Sequence, residues 1–197
     1  MSTTTSTQAA PAAPPAPPPP APPAPSAQPL LAALGQSLVP HLGALSPAPG
    51  ERSWLRLPAP EPEWGMWLLA WGPGSSTGWH DHGLSAGAFA VLTGELTEYA
   101  VTRRRPDSGL VATAAGDSGA ACDVPLPPDG PRVRRLGPAE LRPFGRDHVH
   151  DVRNETAAIA YSLHVYAPDL PLMHRYRLDE ERGLLVHTAT ERGGEDW

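Results

Sequence analysis

Two histidines separated by one residue are the first feature of this sequence whose spacing suggests chemistry. In Trp79-His80-Asp81-His82, the alternation of an extended segment sends His80 and His82 to one face and Asp81 to the other. Two neutral imidazoles on one face can meet a single divalent ion, although such a pair alone is equally a pair of surface or hydrogen-bonded histidines. A second alternating run, YSLHVYAP from Tyr161, puts Ser162, His164 and Tyr166 on one face and Leu163 and Val165 on the other. A polar face on an otherwise apolar strand points to a lined cavity.

The residues around the first pair narrow this reading. Gly74, five residues, His80-Asp81-His82, four residues, position 87, six residues and Gly94 reproduce the first cupin motif. Further on, His150-Asp151-Val152-Arg153-Asn154 matches the His-x-x-x-Asn core of the second motif and would bring a third imidazole from a distant strand. The run Gly145-Arg146-Asp147-His148 nominates His148 instead. His148 and His150 share a face, so alternation does not separate them, while the spacing to Asn154 and to SLHVY favours His150. Metal-binding cupins commonly carry Glu as a fourth ligand at position 87, where this chain has Gly87. Three neutral histidines leave an ion dipositive, with open positions for an anion such as a thiolate.

Taken in order, WGPGSSTGWHDH, GAFAVLTGELTE, HVHDVRNE and YSLHVYAP, over about residues 50 to 170, resemble the cysteine dioxygenase family, the thiol dioxygenases of the cupin superfamily. The resemblance implies Fe(II) held by His80, His82 and His150, and oxidation of the thiol of L-cysteine by O₂ to cysteine sulfinic acid. It implies that Arg56, 24 residues before His80, grips the substrate carboxylate, a task suited to a planar guanidinium. It further implies an outer Ser162-His164-Tyr166 relay with the Tyr166 hydroxyl near substrate. Animal members of the family carry, in the place of Gly87, a cysteine crosslinked to the tyrosine matching Tyr166, so Tyr166 is expected to stay unmodified. The alternatives are another small thiol such as 3-mercaptopropionate, or a non-catalytic metal-binding cupin sensor.

Positioning these groups requires strands. Leu30 to Leu45 has apolar residues at helical spacing and predicts one short helix broken by Pro40. Strands are predicted over 53–57, 65–71, 88–102, 110–115, 132–136, 148–153, 157–167, 174–178 and 183–188, separated by Pro, Gly, Asp and Ser punctuators. Many short strands without regular intervening helices argue for an all-β barrel or sandwich, here the cupin jelly-roll (double-stranded β-helix) that the motifs imply.

Residues 1–29 are rich in Pro and Ala with little apolar bulk to bury, and read as a disordered leader before one domain, 30–197. The leader lacks the basic and apolar regions of a secretory signal, and no run approaches the roughly 20 apolar residues of a membrane span. A formal charge of -6 disfavours nucleic acid as a partner, and Arg103-Arg104-Arg105 and Arg132 to Arg135 read as solvated surface. Cys122 is the only cysteine, which excludes an intramolecular disulfide and fits a reducing, cytoplasmic location. The chain is expected to act as a monomer. His41, His174 and His187 read as structural or surface residues, Trp67, Trp71 and Trp79 as core or cavity wall, and Asn154 as a fastener for the turn after His150.

Overall fold

A computed structural model of the chain describes residues 31, 34, 37–103 and 122–192. The expected leader, the expected strand 110–115 and Arg104-Arg105 lie outside the described residues. Leu31, Leu34, Ser37 and Leu38 are helical, and at Val39–Ala44 the chain tightens into a 3-10 helix. Pro40 sits in the first turn of that segment, where its missing N–H has no partner to lose.

The strands are β1 (Arg52–Leu57), β2 (Gly65–Trp71), β3 (Trp79–Asp81), β4 (Ala86–Thr93), β5 (Leu96–Thr102) and β6 (Val124–Pro125), followed by β7 (Arg132–Leu136), β8 (Leu141–Phe144), β9 (His148–Arg153), β10 (Ala160–Ala167), β11 (Leu172–Asp179) and β12 (Leu184–Arg192). They form two antiparallel sheets, one in the order β1-β2-β10-β4-β8 and the other β6-β12-β11-β3-β9-β5-β7. This is the expected all-β cupin-like architecture.

Three corrections to the sequence reading have local causes. The expected strand 88–102 is two strands, because the chain leaves one sheet at Thr93 and enters the other at Leu96. Gly94 makes that crossing at φ 80°, where an added Cβ would lie 2.8 Å from Ala160. Strand β8 was hidden by Pro143, which a strand tolerates at a sheet edge, and β8 is an edge. Arg103 is not solvated: its guanidinium pairs with the buried carboxylate of Asp81 and the hydroxyl of Tyr176. Arg132, Arg134 and Arg135 are exposed as expected.

Alternation sorts each strand into an inner and an outer face. Trp67 and Trp71 of β2, Phe89 and Val91 of β4, Leu96 of β5, Val152 of β9 and Tyr166 of β10 meet in one cluster between the sheets. Outside the smaller sheet, Met66, Ala88, Leu163 and Val165 pack under Leu31, Leu34 and Leu38, which is why the amphipathic N-terminal segment docks there. Outside the larger sheet, Trp79, Val101, Val149 and Leu185 form a third cluster. No helix among the described residues is long and apolar enough to cross a membrane.

Candidate metal centre

His80 on β3 lies directly opposite His150 on β9. His82 follows just past the end of β3, and the turn beyond it is held by Gly83 N–H donating to Asp81 Oδ1 at 2.8 Å and Ser85 N–H donating to His82 O at 2.9 Å. The three rings meet with centroids 4.9 Å (His80 to His82), 4.6 Å (His80 to His150) and 5.1 Å (His82 to His150) apart. One nitrogen from each lies within 4.8 Å of the others. Asp81 points to the opposite face, where Tyr176 donates to it at 2.6 Å.

The donor set fits a divalent metal. His80 Nδ1 faces the Gly78 carbonyl at 2.9 Å and His150 Nδ1 faces Glu98 Oε1 at 2.9 Å, which leaves Nε2 of each ring for an ion. Neither ring nitrogen of His82 has a hydrogen-bond partner although the ring is buried. Leaving such groups unpaired is costly, and an ion among the three rings would satisfy them. Burial first, and then the neighbouring histidines, hold His80 and His82 well below the ordinary histidine pKa. Both are therefore neutral at physiological pH, with lone pairs free to ligate.

His148 belongs to a different group. Its Nε2 meets Glu98 Oε1 at 2.9 Å, and it groups with Glu98 and His150. Arg142 Nε donates to the other Glu98 oxygen. Burial opposes ionisation of Glu98, but hydrogen bonds from His148, His150 and Arg142 outweigh it and hold the carboxyl well below its ordinary range. Glu98 closes the run GAFAVLTGELTE, but the resemblance implied no role for it. The available signal was its inward position in β5, in step with buried Leu96 and Ala100.

Strand β10 places Ser162, His164 and Tyr166 on the inner face in a continuous chain. Trp71 Nε1 donates to Ser162 Oγ at 2.8 Å, Ser162 Oγ meets His164 Nε2 at 2.8 Å, and His164 Nδ1 meets the Tyr166 hydroxyl at 3.2 Å. Ser162 Oγ accepts from Trp71, and the two ring nitrogens of neutral His164, one a donor and the other an acceptor, link it to the Tyr166 hydroxyl. Burial holds His164 down to about 3 and pushes the Tyr166 hydroxyl above its ordinary value, so both stay neutral. The Tyr166 ring lies 5.0 Å from that of His82.

The cysteine dioxygenase type I family model matches residues 48–179, two thirds of the chain, and contains the three histidines, the β10 chain and Gly87. The chain belongs to this family. Among solved structures, a cupin domain from Schizosaccharomyces pombe is 10% identical over 63% of this chain and 66% of its own, with a TM-score of 0.42. Recombinant oxalate oxidase in complex with glycolate is 17% identical over 61% of this chain and 53% of that one, at 0.43. A Thermus thermophilus protein is 22% identical over 65% of this chain and 94% of its own, at 0.41. The chain thus spans less than two thirds of the lengths of the first two. No curated protein matches the sequence.

In this cysteine dioxygenase family member, the centre opens into a cavity of about 50 Å³, room for a few water-sized groups. His80, His150, His164 and Tyr166 line one side, and Leu69, Leu170 and Met173 another. The structure does not bring Arg56 to this wall. The Arg56 guanidinium lies over the outer part of Trp67, 5.4 Å from the ring centroid, and pairs with Asp169. Its side chain is 56% exposed. Two arginines that the motifs did not mark take its place in the lining, Arg52 and Arg175. Arg175 is neutralised by Glu191 at 3.0 Å and donates to the Thr77 carbonyl at 3.1 Å. Arg52 rests over Trp71, 5.6 Å from the centroid, and forms no ion pair among the described residues. Arg52 and Arg56 sit on one face of β1, so strand alternation does not separate them.

Asn154 ties down the end of β9 as expected, donating to the carbonyls of Trp71 at 2.8 Å and Ala158 at 2.7 Å. His174 and His187 share Thr190 Oγ1, away from the centre. Cys122 is exposed.

Proposed function

We propose that the chain is an Fe(II)-dependent thiol dioxygenase whose substrate is L-cysteine and whose product is cysteine sulfinic acid, both atoms of O₂ ending on sulfur. The observation that carries this reading is the convergence of three buried imidazoles, with no acidic side chain among the cavity-lining residues, beside the Tyr166 hydroxyl. His80, His82 and His150 would hold the iron. When bound, Fe(II) would supply the positive charge that favours a thiolate and a redox centre for O₂, the four electrons that reduce O₂ coming from the substrate sulfur.

The remaining roles fall to the chain's own side chains. Arg52, a guanidinium in the wall with no ion pair among the described residues, suits a substrate carboxylate, replacing the expectation placed on Arg56. Ser162 and His164 orient Tyr166, whose hydroxyl donates towards the reacting sulfur and oxygen. Leu69, Leu170 and Met173 limit water in the cavity. The lone cysteine of the chain supports a cytoplasmic location.

A second reading, oxidation of 3-mercaptopropionate, is favoured by one feature: no carboxylate lines the cavity to meet an ammonium group. Oxygen consumption by the iron-loaded chain with cysteine, 3-mercaptopropionate and cysteamine, followed by mass analysis for the gain of both oxygens, tests both. Turnover of cysteine is the expected result. Turnover of 3-mercaptopropionate alone selects the second reading, and no oxygen uptake with any thiol removes both.

A further inference from the structure

The three histidines of the metal centre are not equivalent. His80 Nδ1 faces a backbone carbonyl, His82 has no hydrogen bond, and His150 Nδ1 faces the carboxylate of Glu98 at 2.9 Å. Glu98 is 1% exposed and points into the barrel from β5. A buried carboxylate at such a position is expensive compared with an apolar residue of similar size, so stability alone gives no reason for it.

Its surroundings hold it in one orientation. Arg142 Nε donates to Oε2, while His148 Nε2 and His150 Nδ1 both approach Oε1 at 2.9 Å. A carboxylate only accepts hydrogen bonds, so both facing ring nitrogens carry protons. Although Glu98, His148 and His150 have the ligand types of a second metal site, their facing atoms have no lone pairs left to converge on an ion, and the Arg142 cation lies against the remaining oxygen. The cluster is a support for its neighbour.

Resting on the reading of His150 as a metal ligand, we propose that Glu98 is a positioning residue for the metal centre: it fixes His150 as the Nδ1–H tautomer, aims the Nε2 lone pair at the ion, and makes His150 the most electron-rich of the three ligands. His148 and Arg142 hold Glu98 in place for this purpose. A carboxylate behind a ligating histidine raises the basicity of the ligand, and loss of such a partner typically weakens metal binding about 10- to 100-fold.

The test uses the full chain, metal-free, titrated anaerobically with Fe(II) against a competing chelator, as wild type, Glu98→Gln and His150→Ala. Glutamine keeps the volume and an acceptor oxygen but removes the charge. Glu98→Gln is expected to bind Fe(II) about 10- to 100-fold more weakly. Nitrogen-15 NMR of the unmodified metal-free chain is expected to show His150 protonated on Nδ1, a readout that does not require any variant to fold. Wild-type affinity in folded Glu98→Gln, or an Nε2–H tautomer of His150 in the unmodified chain, overturns the role of Glu98. If His150→Ala loses iron while Glu98→Gln keeps it, the metal centre stands and only the positioning role falls. If His150→Ala binds iron like wild type, His150 is no ligand and both readings fall.

Discussion

His80 and His150 are register partners across the β3–β9 pair, their ring centroids 4.6 Å apart. Segments 70 residues apart in sequence therefore meet at one rung of the larger sheet, and His82, two positions further along, completes the group. His148, two positions back on β9, is engaged elsewhere: its Nε2 meets Glu98 Oε1 at 2.9 Å.

Removal of one ligand should abolish tight iron binding. His82 is the informative choice, because its ring nitrogens have no hydrogen bonds whose loss could confuse the outcome. Metal analysis of purified His82→Ala should find little iron beside a full complement in wild type. A wild-type iron content would remove His82 from the centre.

Tyr166→Phe separates iron binding from turnover. The substitution deletes the hydroxyl that His164 Nδ1 meets at 3.2 Å, but leaves the three histidines untouched. Iron content should hold while kcat falls by roughly 30-fold, the equivalent of about 2 kcal/mol for a lost hydrogen bond to a charged partner. Unchanged turnover would take the Ser162-His164-Tyr166 chain out of the chemistry.

The contrast between histidines and arginines shows what the sequence could disclose. Strict alternation and motif spacing located His80, His82, His150 and the β10 chain, because strand geometry converts a two-residue period directly into a shared face. The same period could not choose between Arg52 and Arg56. That choice depends on Asp169, which follows β10 and captures Arg56 at the rim, and on the stacking of Arg52 over Trp71. Glu98 was invisible for a similar reason: its partners come from β8 and β9, and no local pattern announces a cross-strand hydrogen bond. Strand β8 and the break at Gly94 were missed because sheet membership, a tertiary property, decides both.

Arg52→Ala and Arg56→Ala should therefore differ. Loss of Arg52 removes a guanidinium from the cavity wall and should lower kcat/KM for a carboxylate-bearing thiol by roughly 30-fold, about 2 kcal/mol, chiefly through KM. Cysteamine, which has no carboxylate, should be far less affected. Arg56→Ala removes an exposed ion pair and the contact over Trp67, and should change kcat/KM by less than about threefold. The reverse ranking would return the carboxylate to Arg56.

Acid should weaken the metal-free protein from an unusually high pH. Burial depresses the folded pKa of His164 to about 3, against about 6.5 in the unfolded chain. Above pH 6.5 neither state is protonated and the group is neutral to stability. Below it the unfolded chain takes up a proton that the folded chain refuses, so stability falls by about 1.4 kcal/mol per pH unit down to about pH 3. His80, His82 and His148 are depressed too and add slopes of the same sign. Urea midpoints of chelator-treated protein should therefore drop between pH 7 and pH 5.5, and a flat profile would contradict neutral burial of these rings.

Gly87 decides the chemical state of Tyr166. The two residues are register partners across β4 and β10, the position from which a cysteine side chain could in principle reach the tyrosine ring. Here the neighbouring strands have closed over the site. A Cβ on Gly87 would lie 2.3 Å from the Val165 carbonyl oxygen and 2.9 Å from Phe144 Cζ. The carbonyl belongs to the ladder and cannot turn aside without losing its place there, so the added carbon must push β10 away from β4. Gly87→Cys should then cost about 2 kcal/mol, within the usual range for overpacking, and the protein should keep the mass of the uncrosslinked chain after turnover. Denaturant unfolding and intact mass measure the two effects on one sample. A variant as stable as wild type, and lighter by the hydrogens that a thioether removes, would mean that the strands yield to a side chain at this position and that glycine is not needed to keep Tyr166 free.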